Sequence, residues 1–136
     1  PEPKDSLLNS DSLEVEDLDL FIYNQSTNQY FYFVEDASVD GVELTNEDWL
    51  VSYNGDIIVG ARKYSEGGMV DIPIMGNDGN EYSEGYCKVG DLPTIKIFRP
   101  NGEFIKMDVI LVEGKLEFQS LGHATVILKE EWFENF

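Results

Sequence analysis

The residues best suited to binding a cation lie in one short segment, 77–81. Oxygen-bearing side chains surround a glycine there, in the order Asn77, Asp78, Gly79, Asn80, Glu81, and Glu84 follows closely. Calcium and other hard cations take several carboxylate, amide and backbone oxygens from a tightly turning chain. The spacing is not that of the helix–loop–helix calcium motif, and the same residues form ordinary turns. We therefore expect a turn, with a calcium site formed by Asn77, Asp78, Asn80 and Glu81 as the alternative; no other cofactor is predicted.

Residues that could catalyse a reaction are few. His123 is the only histidine and Cys87 the only cysteine, and neither lies in a known nucleophile motif or a metal-binding histidine pair. The 27 Asp and Glu residues do not by themselves define the paired carboxylates of a hydrolase. We predict that the chain is not an enzyme, with His123 a structural or surface residue and Cys87 a small buried apolar one.

The charge balance excludes two classes of partner. Nine Lys and Arg residues oppose 27 Asp and Glu, which gives a formal net charge of −18. Such a surface repels nucleic-acid phosphates and anionic lipids. No apolar run reaches the roughly 20 residues of a membrane-spanning helix. We therefore predict no nucleic-acid binding and no membrane insertion, whereas basic protein surfaces, neutral glycans, cations and self-like neighbours whose charge is offset by counterions remain as partners.

Three regions are predicted along the 136 residues. Residues 1–17 form an acidic, flexible N-terminal arm, residues 18–128 a β domain, and residues 129–136 an acidic and aromatic C-terminal tail. Both ends carry apolar side chains among charged ones. We expect these to dock on partner proteins: Leu7, Leu8, Leu13, Val15, Trp132, Phe133 and Phe136.

The region from residue 18 onward contains short apolar and aromatic runs separated by turn residues, which is the pattern of β-strands. Asn54-Gly55 predicts a type I′ hairpin between strands 49–53 and 56–61, and Pro73 places the run 69–74 at a sheet edge or bulge. The remaining predicted strands are 19–23 paired with 30–34, 94–98 joined to 103–107 through Pro100-Asn101-Gly102, and 109–112, 115–119 and 124–128. Together they predict an all-β fold, an antiparallel β-sandwich of Ig-like or jelly-roll-like type.

The hairpin at Asn54-Gly55 carries two further expectations. Trp49 and Tyr53 share one face of their strand, and we expect them to pack in a core, with a ligand-stacking platform as the alternative. Gly60 should allow a close approach of another backbone.

A series of segments in the middle of the chain resembles a known family. These are Asp40-Gly41, 46–62, 72–79, 84–86 and 90–98. They are similar to a repeat-type module of large virion structural proteins of marine, cyanophage-like phages, and also to secreted surface proteins of marine bacteria. The similarity spans about residues 21–98. Family members often carry a cysteine where Ile58 stands, so the resemblance implies a virion protein assembled in a reducing host cytoplasm more than a disulfide-closed secreted one.

The resemblance and the amphipathic ends together predict a function. We expect a non-enzymatic virion structural or attachment protein, such as a capsid decoration, tail-associated or fibre module. It would contact other virion or surface-assembly proteins in many copies. The alternative is an extracellular or cell-surface adhesion module that binds glycans, with calcium held by the loop 77–81.

Overall fold

The computed structural model describes residues 21–130, which form eight β-strands and one 3₁₀ turn. The strands are β1 (Gln29–Val39), β2 (Val42–Glu43), β3 (Trp49–Asn54), β4 (Ile57–Lys63), β5 (Val70–Met75), β6 (Thr94–Phe98), β7 (Phe104–Glu113) and β8 (Gly122–Glu130), and the 3₁₀ turn is Glu81–Ser83. The all-β prediction is confirmed. Strand β8 includes Lys129 and Glu130, the first two residues of the predicted tail.

The strands form a single curled sheet. Its order is β2-β1-β8-β7-β6-β3-β4, and β5 pairs with the first half of β1. Every pairing is antiparallel except that of β1 with β8, which is parallel. A parallel pair needs a long connection, and here the rest of the domain supplies it. The sheet is therefore mixed, and its curl is compatible with a sandwich or a half-barrel.

The main core lies inside the curl. Alternate residues of β1 point into it, so that Tyr30, Tyr32 and Val34 are buried while their neighbours are more accessible. The hydroxyls of Tyr30 and Tyr32 donate to the backbone oxygens of Lys115 and Leu116. These bonds satisfy two polar groups that burial would otherwise leave unpaired.

The curl closes where β4 approaches β5 without a backbone ladder. A Cβ atom added at Gly60 would lie 1.8 Å from the backbone oxygen of Pro73, and the Ser52 hydroxyl donates to that same oxygen at 2.7 Å. The predicted close approach at Gly60 is confirmed. So is the edge position of Pro73, because β5 has a ladder partner only in β1 among the described strands.

The hairpin between β3 and β4 is confirmed, but the type I′ turn was wrong. Asn54 pairs with Ile57, so the loop consists of Gly55 and Asp56. Only Gly55 has a positive φ, of 63°, as in a type II′ turn with glycine at the first central position. Asn54 stays in the strand, where its side-chain amide donates to the backbone oxygen of Gly85 at 2.9 Å.

One predicted strand is a loop, another is irregular over its described residues, and two others form a single strand. Of the predicted strand 19–23, the described residues 21–23 are irregular and form no backbone ladder. The Phe21 ring packs on Trp49 and Phe98 there. The segment 115–119 is a loop, since Phe118 is fully buried and its backbone pairs with the loop at Gly90 and Asp91. The predicted strands 103–107 and 109–112 belong to one strand, β7. The loop at Pro100 that joins it to β6 spans residues 99–103.

Trp49 and Tyr53 belong to a second apolar cluster, on the opposite face of β3 from the main core. Phe21, Val51 and Ala61 are its buried members. The ammonium of Lys96 lies 4.8 Å from the centre of the Tyr53 ring, a cation–π contact that covers this aromatic. These aromatics pack among apolar residues as expected, but they do so in this outer cluster and not in the main core.

One buried ion pair ties the β2–β3 connection to the end of β6. The Asp48 side chain is fully buried, and Arg99 Nε lies 2.9 Å from Asp48 Oδ1. The other carboxylate oxygen accepts the backbone N–H of Thr45 at 2.8 Å. Because burial removes water from the Asp48 carboxylate, its negative charge is balanced by the positive charge of Arg99.

Replacing Gly60 with alanine should strain the closure between β4 and β5. We expect Gly60→Ala to reduce the free energy of unfolding by at least about 2 kcal/mol, because the added methyl would meet backbone atoms that cannot turn aside. Urea denaturation measures it. Gly68→Ala is the control, since its added Cβ meets no atom within 4 Å, and a similar loss in both variants would contradict the closure.

Removing Arg99 should destabilise the fold far more than removing an exposed arginine. We expect Arg99→Ala to cost about 3 kcal/mol, since Asp48 is then buried without a counter-ion. Arg62→Ala is the matched control: Arg62 pairs with Asp71 at 3.3 Å, with 44% and 39% of the two side chains exposed, which predicts a cost of about 0–1 kcal/mol. Equal shifts of the denaturation midpoint would exclude the special role of Arg99.

Candidate functional site

The predicted calcium loop is organised around the carboxylate of Asp78, which has six donor atoms within hydrogen-bonding distance. Its Oδ2 receives the Tyr82 hydroxyl at 2.6 Å and the backbone N–H and hydroxyl of Thr27 at 3.1 and 3.3 Å. Its Oδ1 receives the backbone N–H and side-chain amide of Asn80, both at 3.1 Å, and the Ser83 hydroxyl at 2.9 Å. A carboxylate offers about four lone-pair sites. Asp78 is therefore saturated by donors of the protein itself.

These donors also set the ionisation of Asp78. The hydroxyl of Tyr82 contributes most, and with the donors from Thr27, Asn80 and Ser83 it holds the pKa of Asp78 well below its usual range. The same bond raises the pKa of Tyr82. Hydrogen bonds to the charged form of an acid favour that form, so Asp78 stays ionised and keeps the loop closed.

The other three predicted calcium ligands, Asn77, Asn80 and Glu81, line one open polar cleft together with Glu84. Asn77 accepts the backbone N–H of Gly79 at 2.8 Å, and the side-chain amide of Asn80 donates to Asp78. Across residues 21–130 no three His, Cys, Asp or Glu side chains converge as metal ligands. The calcium site stays a prediction, as does glycan binding, and the structure gives this loop a hydrogen-bonded organisation of its own.

Replacing Asp78 tests that organisation through its pH dependence. Because the folded-state pKa is depressed, its stabilisation is present above the unfolded-state pKa of about 3.9 and is lost as the pH falls through the folded value. We expect Asp78→Asn to lower the melting temperature at pH 7, and the difference from the wild type to shrink below about pH 5. Asp56→Asn, an exposed acid in the β3–β4 turn, is the control. A pH-independent difference for Asp78→Asn would refute the role of its charge.

His123 is a surface residue and Cys87 a buried one, as the sequence predicted. His123 is exposed on β8 with its ring 4.8 Å from that of Phe33. Cys87 is fully buried, and burial, with a smaller effect of Asp91, raises the pKa of its thiol to about 12. A thiol with this pKa is protonated at neutral pH and is a poor nucleophile.

Strand β7 has an open edge over its second half. It pairs with β6 through residues 104–107 and with β8 through residues 107–113. These two strands lie on opposite sides of β7. From Asp108 to Glu113, no strand among residues 21–130 is paired with β7 on the edge away from β8. We call this segment the β7 open edge.

Pro93 explains why β6 does not continue along it. Extending the observed register, in which Ile95 faces Met107, would put Pro93 opposite Val109. Proline has no N–H to donate to a ladder. The chain before it bonds elsewhere, because the backbones of Gly90 and Asp91 pair with Phe118 at 3.0 and 2.7 Å.

The β7 open edge is apolar on both faces. Ile110, Leu111 and Val112 are 43%, 42% and 48% exposed, and a bulge between Leu111 and Glu113 offsets the strand from β8. Beside the edge, Leu92 is 61% exposed and lines a cleft of about 220 Å³ with other residues, among them Pro93, Met107, Val109 and Leu116. An exposed row of apolar residues with unpaired backbone groups is a template for pairing with another chain.

The other sheet edges are protected. Strand β2 has only two residues, and β4 and β5 face each other across the closure. Arg62, near the end of β4, donates to the backbone oxygen of Asp71 in β5 at 3.0 Å. Charged side chains, short strands and covered backbones are the usual protection of edges. Of the edges that the structure describes, that of β7 is the long one left apolar and unpaired.

The sequence contains a signal for this edge. Val109-Ile110-Leu111-Val112 is an uninterrupted apolar run between Asp108 and Glu113. A strand with one buried face alternates apolar and polar residues, so a continuous run in such a sheet exposes part of its apolar side chains. The predicted docking residues Leu7, Leu8, Leu13, Val15, Trp132, Phe133 and Phe136 lie outside the described residues.

Comparison of the chain with models of known protein families, with curated proteins and with solved structures gives no match. Residues 21–130 contain no helix with the length and apolarity that crossing a membrane requires.

Proposed function

We propose that this chain is a non-enzymatic structural or attachment protein of a virion that acts through protein–protein contacts. The β7 open edge carries the proposal. Its residues 109–112 present apolar side chains together with backbone groups that no described strand pairs. Edges of this kind bind extended segments of other proteins in many assemblies.

The setting of the proposal rests on the resemblance of residues 21–98 to modules of phage virion proteins. That resemblance suggests a capsid decoration, a tail-associated module or a fibre domain, assembled in the host cytoplasm and present in many copies. The net charge of −18 supports a protein partner over nucleic acid or an anionic membrane. The buried, protonated thiol of Cys87 offers no nucleophile, in keeping with a role that does not involve catalysis.

Quantitative mass spectrometry of purified particles tests this function. We expect the wild-type chain in the particles in several copies, and a Leu111→Lys variant supplied in its place at less than a tenth of that amount, because a charge at the edge opposes burial. Met69→Lys is the matched control, since Met69 is a 60% exposed apolar residue away from β7. A wild-type chain found on cell surfaces or in the medium but absent from particles would contradict the proposal and favour the adhesion module.

A further inference from the structure

We infer that the β7 open edge binds an extended segment of a different polypeptide by strand addition, and that this segment carries apolar residues flanked by Lys or Arg. The inference rests on the proposed function and names the partner's chemistry. Three features of the edge lead to it: its backbone, its side chains and the charges at its two ends.

The backbone can hold an added strand. Residues of a β-strand direct their N–H and C=O groups alternately to its two sides, so about half of those in 108–113 point away from β8. Pro93 and the bonds of Gly90 and Asp91 to Phe118 keep the strand's own neighbour from reaching them. Backbone hydrogen bonds of this kind supply affinity in strand addition, and pockets for alternate side chains supply specificity.

The side chains offer an apolar surface to both faces of the incoming strand. Ile110, Leu111 and Val112 are each more than 40% exposed. On one side lies the cleft of about 220 Å³ lined by Leu92 and Leu116, which has room for one apolar side chain. Three central apolar residues in the partner would match the exposed Ile110, Leu111 and Val112.

The charges at the ends select a basic partner over a second copy. Asp108 and Glu113 flank the apolar run, and Lys106 and Lys115 lie two positions further out. Lys129 of β8 lies opposite Asp108, so the preference for a basic partner comes from Glu113 and from the net charge of the whole chain. If two copies paired in the antiparallel register that aligns Val109–Val112 with itself, Asp108 of each copy would face Glu113 of the other. Like charges directly opposite each other destabilise a pair of strands. Two bodies of net charge −18 also repel each other, whereas they attract a basic segment.

A designed peptide tests the inference on the full chain. The probe is the acetylated and amidated octapeptide Lys-Lys-Val-Ile-Val-Thr-Lys-Lys. We expect saturable binding by fluorescence anisotropy that weakens with added salt. Hydrogen exchange should show new protection in residues 108–113 upon binding, since amides that face the open edge gain partners while those that face β8 already have them.

Matched controls separate the three features. We expect alternate N-methylation of the peptide backbone to abolish binding, and replacement of every Lys by Glu to weaken it at least tenfold. Leu111→Lys in the protein should also weaken binding at least tenfold, and Met69→Lys should change it less than twofold. Thermal unfolding of both variants confirms that the fold is intact.

Several results would overturn the inference. They are no binding of the probe, protection outside 108–113, and equal binding of the Glu peptide. Concentration-dependent dimers in analytical ultracentrifugation that Leu111→Lys abolishes would assign the edge to a second copy. Full protection of 108–113 in the free chain would assign it to another segment of this chain. None of these results contradicts the proposed function if the wild-type chain is found in particles. Failure of the inference can therefore be distinguished from failure of the proposed function.

Discussion

The interaction surface depends on where β6 begins. Pro93 cannot donate to the ladder, and the chain before it bonds to the backbone of Phe118, so β6 has five residues while β7 has ten. The excess length of β7 is supported by β8 on one side only. A sheet edge therefore arises in the middle of the strand order, where neighbouring strands would ordinarily cover it.

The rest of the molecule keeps this edge fixed and the other edges protected. The approach of Gly60 to Pro73 closes the curl, and the parallel pair of β1 with β8 holds the strand that supports β7. The buried phenols of Tyr30 and Tyr32 anchor the loop after β7 through the backbone of Lys115 and Leu116. Because these contacts are made within a well-packed core, the run 109–112 is held in an extended conformation before any partner binds, which reduces the entropic cost of binding.

Sequence patterns predicted the features that are set locally. The hairpin at Gly55, the edge position of Pro73 and the close approach at Gly60 each follow from the backbone preferences of one or two residues. The turn type was wrong for a local reason, because Asn54 pairs with Ile57. The other predictions failed where distant contacts decide: Phe21 packs on Trp49 and Phe98, and the buried ring of Phe118 makes 115–119 a loop. The candidate site was missed for the same reason. The run 109–112 is visible in the sequence, but its open edge depends on β6 beginning only at Thr94.

The central claim is that the β7 open edge contacts another protein in the assembled particle. The most direct measurement places a photo-reactive amino acid at Leu111, or at Met69 as a control, and irradiates assembled particles. We predict a cross-link from position 111 to a second virion protein, within an extended segment rich in Lys or Arg, and none from position 69. Incorporation of both chains without a cross-link at position 111, or with cross-linking at position 69 alone, would contradict it.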